Sequence, residues 1–276
     1  MFIGRECYKH TEVLAKLLDE GNVRARASSK NIQPLLKAYV RLFGVPDIGF
    51  QLRARYVRKI VSKIPFSSAL DAGCGIGLNS LYLAQKFPAS VIDACDLTPG
   101  LVQAATLLRD DRKLNNVNLF TADLTQLTAE NKYDLIFCID VIEHIPDDGK
   151  VPRNFARALK DGGTLVISTP HKRHIKRHIK GLKYDSRGHV REGYTEEELR
   201  LLLQSNGFTV KDVRHVWGFW GEYCEELYLW TIIHFPAPFA ALSFPVLSLF
   251  SSLDMLTKNR EGYGIMVIAQ KQNIFK

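Results

Sequence analysis

The sequence holds no CxxC pair, and its five cysteines are an odd set. That argues against a disulfide framework and against a cysteine-built structural zinc site. Cys74, Cys95 and Cys138 fall in apolar or glycine-rich settings and are expected to act as small buried residues. No internal repeat and no low-complexity tract is present. The opening stretch MFIGRECYKHTEV lacks the apolar core of a signal peptide, so a reducing, cytoplasmic setting is expected. Acids are scarce from His171 to Arg191, where eight Lys or Arg residues face a single Asp185. That window sums to +7 of the chain's net +8 and holds four of the eight histidines. The charge is therefore a local patch and not a nucleic-acid-binding coat, and nucleic acid is not the expected partner.

What is present is an alternation of helical and strand signals. Residues 6–64 carry helical spacing, with Ser29 as a candidate N-cap, Gly44 as a stop and Pro65 as a terminator. Then follow the strands SSALDA, SVIDACD, VNLFTAD, YDLIFCID, GTLVISTP, TVKDVRHV and GYGIMVIAQK. Helices are predicted between them, among them 78–87, 99–111, 154–163 and 195–208, the last with a Thr195–Glu198 capping box. Such alternation predicts an α/β fold with a mostly parallel sheet covered by helices on both faces.

Residues 227–253 carry no Asp, Glu, Lys or Arg over 27 positions. A membrane span needs roughly 20 apolar residues. The last strand must nevertheless return to the sheet, which a single crossing forbids, and Pro236, Pro238 and Pro245 predict broken helices. Three readings stay open: a buried cap over the site, a monotopic membrane contact, or an oligomer interface, with monomer and homodimer both allowed.

The glycine loop LDAGCGIG spaces Gly73, Gly75 and Gly77 as GxGxG. A dinucleotide fingerprint needs glycine at the sixth position, which is Leu78 here, and no Gly-Lys-Ser/Thr ending makes it a phosphate loop. Asp71 at the strand end suits a cationic ligand better than a pyrophosphate. Asp96 ends the second strand, placed for two ribose hydroxyls. Asp123 ends the third, placed for an adenine amino group, and Asp140 ends the fourth. Four aspartates thus fall on the sheet edge where open parallel sheets bind ligands.

In order and spacing, LDAGCGIG, DACDLTPGLVQAA, TADLTQL, YDLIFCIDVIEHIPD and GGTLVISTPH resemble the motifs of class I S-adenosylmethionine-dependent methyltransferases, of the small-molecule and lipid type, over about residues 50–215 and the last strand. The resemblance implies a Rossmann-like seven-stranded sheet of order 3-2-1-4-5-7-6 with strand 7 antiparallel. Around it stand an N-terminal helical cap (1–49), the cofactor domain (50–217 and 261–276) and an apolar helical insertion between strands 6 and 7 (218–260). It implies S-adenosyl-L-methionine as cofactor and S-adenosyl-L-homocysteine as product. Asp71, Gly73, Cys74, Gly75 and Gly77 would meet the cofactor's amino-acid part. Asp96 and Leu97 would hold ribose and adenine, Asp123 and Leu124 adenine, and Asp140 and Ile142 the methionine end.

His144 and His189 are the candidate catalytic bases, with His171 third. The sequence assigns no metal; a cation on Asp140, Glu143, His144 and His189 is the alternative. The expected acceptor is a lipophilic or small molecule, methylated at O, N or C, with peripheral membrane contact through 227–253 and an anion-binding role for 171–191. The competing readings are an RNA or protein methyltransferase, a catalytically silent cofactor-binding subunit, and a nicotinamide-dependent oxidoreductase.

Overall fold

The computed structural model describes residues 2–10, 13, 33–172, 179 and 188–272. The expected Ser29 cap, the helix before it and most of the basic window 171–191 lie outside the described residues. Seven strands form one sheet: β1 (Ser68–Ala72), β2 (Val91–Asp96), β3 (Val117–Thr121), β4 (Tyr133–Ile139), β5 (Leu159–Pro170), β6 (Phe208–Val216) and β7 (Gly264–Lys271). Their order is β3-β2-β1-β4-β5-β7-β6. The first five pair in parallel, and β7 runs antiparallel to both β5 and β6.

β4 shows why the sheet is buried on both faces. Leu135, Ile136, Phe137 and Cys138 have no exposed surface. By the twofold strand period, Leu135 and Phe137 join Val57, Leu81 and Leu108 on one face. Ile136 and Cys138 join Val151, Phe155, Leu199 and Leu203 on the other. After α1 (Gln33–Phe43), the helices that supply those residues are α2 (Ile48–Val61), α3 (Leu78–Lys86), α4 (Pro99–Asp111), α5 (Lys150–Ala158) and α6 (Glu196–Gln204). Gly44 ends α1 in the left-handed region, φ 72°, as its position predicts. The capping box of α6 is present, with Glu198 N donating to Thr195 Oγ1 at 3.1 Å and Thr195 N to Glu198 Oε2 at 2.8 Å.

Three expectations need correction. α2 is capped by Asp47, whose carboxylate accepts from Phe50 N at 2.7 Å, and it stops at Val61, before Pro65. The helix predicted over 154–163 lies instead at Lys150–Ala158, because Leu159 already pairs with Tyr133 as the first residue of β5. The insertion between β6 and β7 folds as a hairpin of α7 (Phe219–His234) and α8 (Ala237–Ser251), and Pro245 does not break α8. A proline there leaves the carbonyl four residues earlier without its helical donor. That carbonyl, Ala241 O, accepts from the Tyr39 hydroxyl of α1 at 2.7 Å.

Candidate functional site

The site is built at the carboxyl ends of β1, β2 and β4. After β1 the chain turns sharply: Gly73 N and Cys74 N both donate to Cys95 O at 2.8 Å, which ties the loop to β2. Gly73 has φ 85°, and a Cβ there would collide with Val141 Cγ2. Gly77 (φ 73°) is the N-cap of α3 and lies against Ala105. Gly75, φ 55°, differs from both, since a Cβ on it would meet nothing within 4 Å. Two of the three glycines therefore answer to packing and the third faces open space.

Asp96 closes the other side of that space. Its Oδ2 accepts from Gly75 N and its Oδ1 from Thr98 N, each at 2.9 Å. A carboxylate oxygen takes two hydrogen bonds, so each oxygen keeps a lone pair for a diol. Leu97 stands next to it 69% exposed, an apolar side chain presented to the same rim. Asp71 is buried, accepts from Ser80 Oγ, and is pushed up to about 7 by burial, with Asp96 adding to the rise. A cation over the loop would restore its charge. Asp123 caps a short turn, its Oδ1 accepting from Thr125 N and Oγ1 at 2.8 Å, while Oδ2 meets only Gln126 Nε2 at 3.4 Å. Leu124 and Ile142 are buried in the core, so they reach the rim only through their backbones. Gly75, Asp96 and Leu97 thus form a rim that fits a nucleoside with a diol and a cationic end.

Residues 47–213, more than half of the chain, match a family model described as a methyltransferase domain. The chain belongs to this methyltransferase family. It is similar to a ubiquinone biosynthesis O-methyltransferase of Coxiella burnetii, 30% identical over 134 residues that cover 48% of this chain and 53% of that protein. It is also similar to phosphoethanolamine N-methyltransferase 1 of Triticum aestivum, 36% identical over 47% of this chain and 26% of that protein. The match thus spans about half or less of these curated relatives. Among solved structures, the [4+2]-cyclase SpnF aligns with TM-score 0.58 at 18% identity, covering 99% of this chain and 97% of that one. An O-methyltransferase from a Brevibacillus brevis trans-AT PKS multienzyme, in complex with S-adenosyl-L-homocysteine, aligns with TM-score 0.54 at 17% identity over 87% and 76%. These structures share the fold. Residues 47–213 are a methyltransferase domain.

Beyond the rim lies a narrow cleft between α2 and the ends of β4, β5 and β7, with free space of only about 10 Å³. Asp140 stands at its edge in a left-handed conformation, φ 53°. Its Oδ2 pairs with Arg53 Nε at 2.6 Å, and its Oδ1 accepts from Ser168 Oγ at 3.1 Å. Arg53 also lies over the Trp217 ring, 5.3 Å from its centroid, and Tyr263 packs edge-on against Trp217 at 5.1 Å. Trp217 is itself held at φ 66°, and its buried indole N–H finds no acceptor among the described residues. Arg53, Trp217 and Tyr263 were not singled out in the sequence, and only their place at element ends hints at them.

The two candidate bases come together. The His144 and His189 rings meet edge to face at 4.5 Å, and the His144 Nδ1 is 2.9 Å from Gly188 O. Glu143 lies beneath them, fully buried, with Oε2 accepting from Thr169 Oγ1 at 3.2 Å and Oε1 without a donor among the described residues. Glu143, His144 and His189 offer ligand atoms within 4.8 Å of one another. Asp140 is not in that group, being turned to Arg53, so the ligand set considered from the sequence loses its first member. His171 is placed elsewhere, edge to face with His215 at 5.3 Å.

Burial pushes the Glu143 carboxyl up to about 8, with Asp140 adding to the rise. Between its ordinary value and about 8 it carries a proton only in the folded chain. Folding stability contributed this way is full at low pH and is lost as pH rises through the folded value. Asp71 acts in the same direction up to about 7. Glu143→Gln is therefore expected to flatten the pH dependence of stability, with its largest gain over wild type above pH about 8. Urea midpoints across that range measure it, and parallel curves for the two proteins would contradict the assignment.

Proposed function

We propose that the protein transfers the methyl group of S-adenosyl-L-methionine to a small, largely apolar acceptor held in the cleft beside Asp140. The observation that carries this reading is the cleft wall: Leu52, Tyr56, Trp217, Tyr263 and Met266 line it, and the buried Trp217 Nε1 finds no acceptor among the described residues. An unmade hydrogen bond of that kind costs about 1–3 kcal/mol until an acceptor atom fills it. The cleft thus favours a molecule that is apolar with an oxygen or nitrogen aimed at the indole. The named relatives, one an O- and one an N-methyltransferase, support a small-molecule acceptor without choosing the atom.

In this reading the cofactor supplies an activated methyl on a sulfonium. Asp96 holds the ribose hydroxyls, the Gly75 face admits the amino-acid part, and Asp71 gains its charge beside the cation. Asp123 Oδ2 receives the adenine amino group. Arg53, the guanidinium at the cleft edge, orients Asp140 and receives a carboxylate. The acceptor's nucleophilic atom would gain the methyl as the sulfonium–methyl bond breaks, leaving the neutral thioether, and His144 and His189 are the candidate bases for its proton. Most of the acceleration is alignment and water exclusion by the aromatic wall.

Transfer of labelled methyl from the cofactor into fractionated cell extract tests the proposal. Label is expected in the small-molecule organic fraction, and Trp217→Phe is expected to raise the acceptor KM several-fold while leaving S-adenosylhomocysteine affinity unchanged. Label found only in RNA or protein would overturn it, as would a KM untouched by loss of the indole N–H.

A further inference from the structure

The α7–α8 hairpin leaves a surface that the cofactor and acceptor sites do not use. Ala240, Phe244, Ser248 and Ser251 form the buried face of α8. Phe244 is fully buried against Phe2, Tyr39 and Tyr228. Arg55 of α2 clamps the same face, donating to Ser248 O at 2.7 Å and to Ser252 Oγ at 2.8 Å. The opposite face carries Phe239, Leu242, Val246, Leu249 and Phe250, at spacings i, i+3, i+7, i+10 and i+11. All five are exposed, Leu242 at 74% and Leu249 at 69%. A surface helix of a soluble domain normally turns polar residues outward. Here the outward stripe is wholly apolar, and it continues into Phe235 before α8 and Leu256 after it, both exposed.

The neighbouring surface is strongly basic. An open cleft begins at Met255, just past α8, and runs between the N-terminal segment, α2 and α3. Arg55, Arg58, Lys59 and Lys63 line it from α2 and the turn that follows. Arg5, Lys86 and Arg112 line the other walls, and Glu6 is the one acid. Among the described residues only Arg112 of these cations finds a carboxylate, that of Glu6. Lys59 Nζ donates to Met255 O at 2.7 Å, which fastens the cleft to the end of the apolar helix.

We propose that this face docks the protein on an anionic phospholipid bilayer, with α8 lying in the interface plane and the basic cleft receiving headgroup phosphates. Exposed apolar side chains beside cations that mostly lack a carboxylate partner are what such a surface selects. A single crossing is excluded by topology. Although Ala237–Met255 is long and apolar enough to span, Val216 at the end of β6 pairs with Gly264 at the start of β7, so the hairpin leaves and rejoins the same sheet edge. A second copy of the chain suits the face less well. The stripe is one helix wide and roughly 22 Å long. A face crowded with cations would also meet its own charge across a twofold axis. The proposal does not depend on the acceptor's identity.

Vesicle flotation tests it with the full chain. Wild-type protein is expected to float with vesicles of phosphatidylcholine and phosphatidylglycerol, and far less with phosphatidylcholine alone or at high salt. Leu242→Glu/Leu249→Glu is expected to abolish flotation, and Lys63→Glu/Lys86→Glu to weaken it about tenfold. All four positions are exposed, and unchanged S-adenosylhomocysteine binding in both variants confirms the fold and keeps the catalytic reading separate. Absence of flotation with anionic vesicles would overturn the proposal. So would flotation that both variants retain, or a wild-type dimer that Leu242→Glu/Leu249→Glu dissociates without any vesicle binding, which would give the face to a second copy.

Discussion

Gly75→Leu is expected to leave a folded protein that no longer binds S-adenosylmethionine. The backbone at this position has φ 55°, and nothing lies within 4 Å of a Cβ built there. The fold therefore bears only the cost of an L-residue in the left-handed region, about 1–2 kcal/mol. The Gly75 N–H still reaches Asp96. The new side chain, however, projects into the space that the glycine loop, Asp96 and Leu97 enclose. Affinity for S-adenosylhomocysteine is expected to fall by about a hundredfold or more, since a bulky group in a close-contact cradle forfeits on the order of 3 kcal/mol or more. Calorimetric titration measures the affinity and urea unfolding the stability. Affinity within a few-fold of wild type would place the cofactor elsewhere.

Gly73→Val, two residues away, is expected to do the reverse and attack the fold first. Here φ is 85°, and the added Cβ would collide with one Val141 methyl and stand 3.1 Å from the other. A β-branched residue at such a φ is strained, and Val141 belongs to the segment after β4 that carries Glu143 and His144. Strain and overpacking of this kind each cost roughly 1–3 kcal/mol. The midpoint of urea unfolding is expected to drop accordingly, with cofactor affinity lost as a consequence of the displaced loop. An unchanged midpoint would mean that the segment after β4 yields freely, and would undo the packing role given to Gly73. The pair of substitutions separates the two uses of one motif.

Legibility in the sequence followed the range of the interaction. The strands and the order of motifs were visible because apolar alternation and turn residues are local signals. The placing of Asp71, Asp96, Asp123 and Asp140 was visible for the same reason: each lies within two residues of a strand's carboxyl end, and such ends share an edge in a parallel sheet. The resemblance to class I methyltransferases then implied the strand order that the structure has. The cleft wall was not visible. Arg53 meets Asp140 across 87 positions of sequence, and in RARYVRK it looks like any other basic residue of an amphipathic helix. Trp217 and Tyr263 flank the insertion and come together only because β6 and β7 pair.

His144 and His189 were separate candidates, and only the return of the chain beside β5 makes them neighbours. Pro236 and Pro238 mark the expected break between α7 and α8, and only Pro245 misled. Pro245 predicted a break, but the carbonyl it releases is claimed by a hydroxyl from another helix, so tertiary contact overrides the local penalty. The helix placed over 154–163 failed because Leu159 and the residues after it favour pairing with β4 over extending α5.

The most direct test of the account is the position of S-adenosylhomocysteine in a crystal of the complex. The ribose hydroxyls are expected on the Asp96 carboxylate, the amino-acid end over Gly75, and the sulfur facing the cleft beside Asp140. A nucleoside bound away from Asp96, or an Asp96 side chain turned out of the rim with the ligand present, would contradict it.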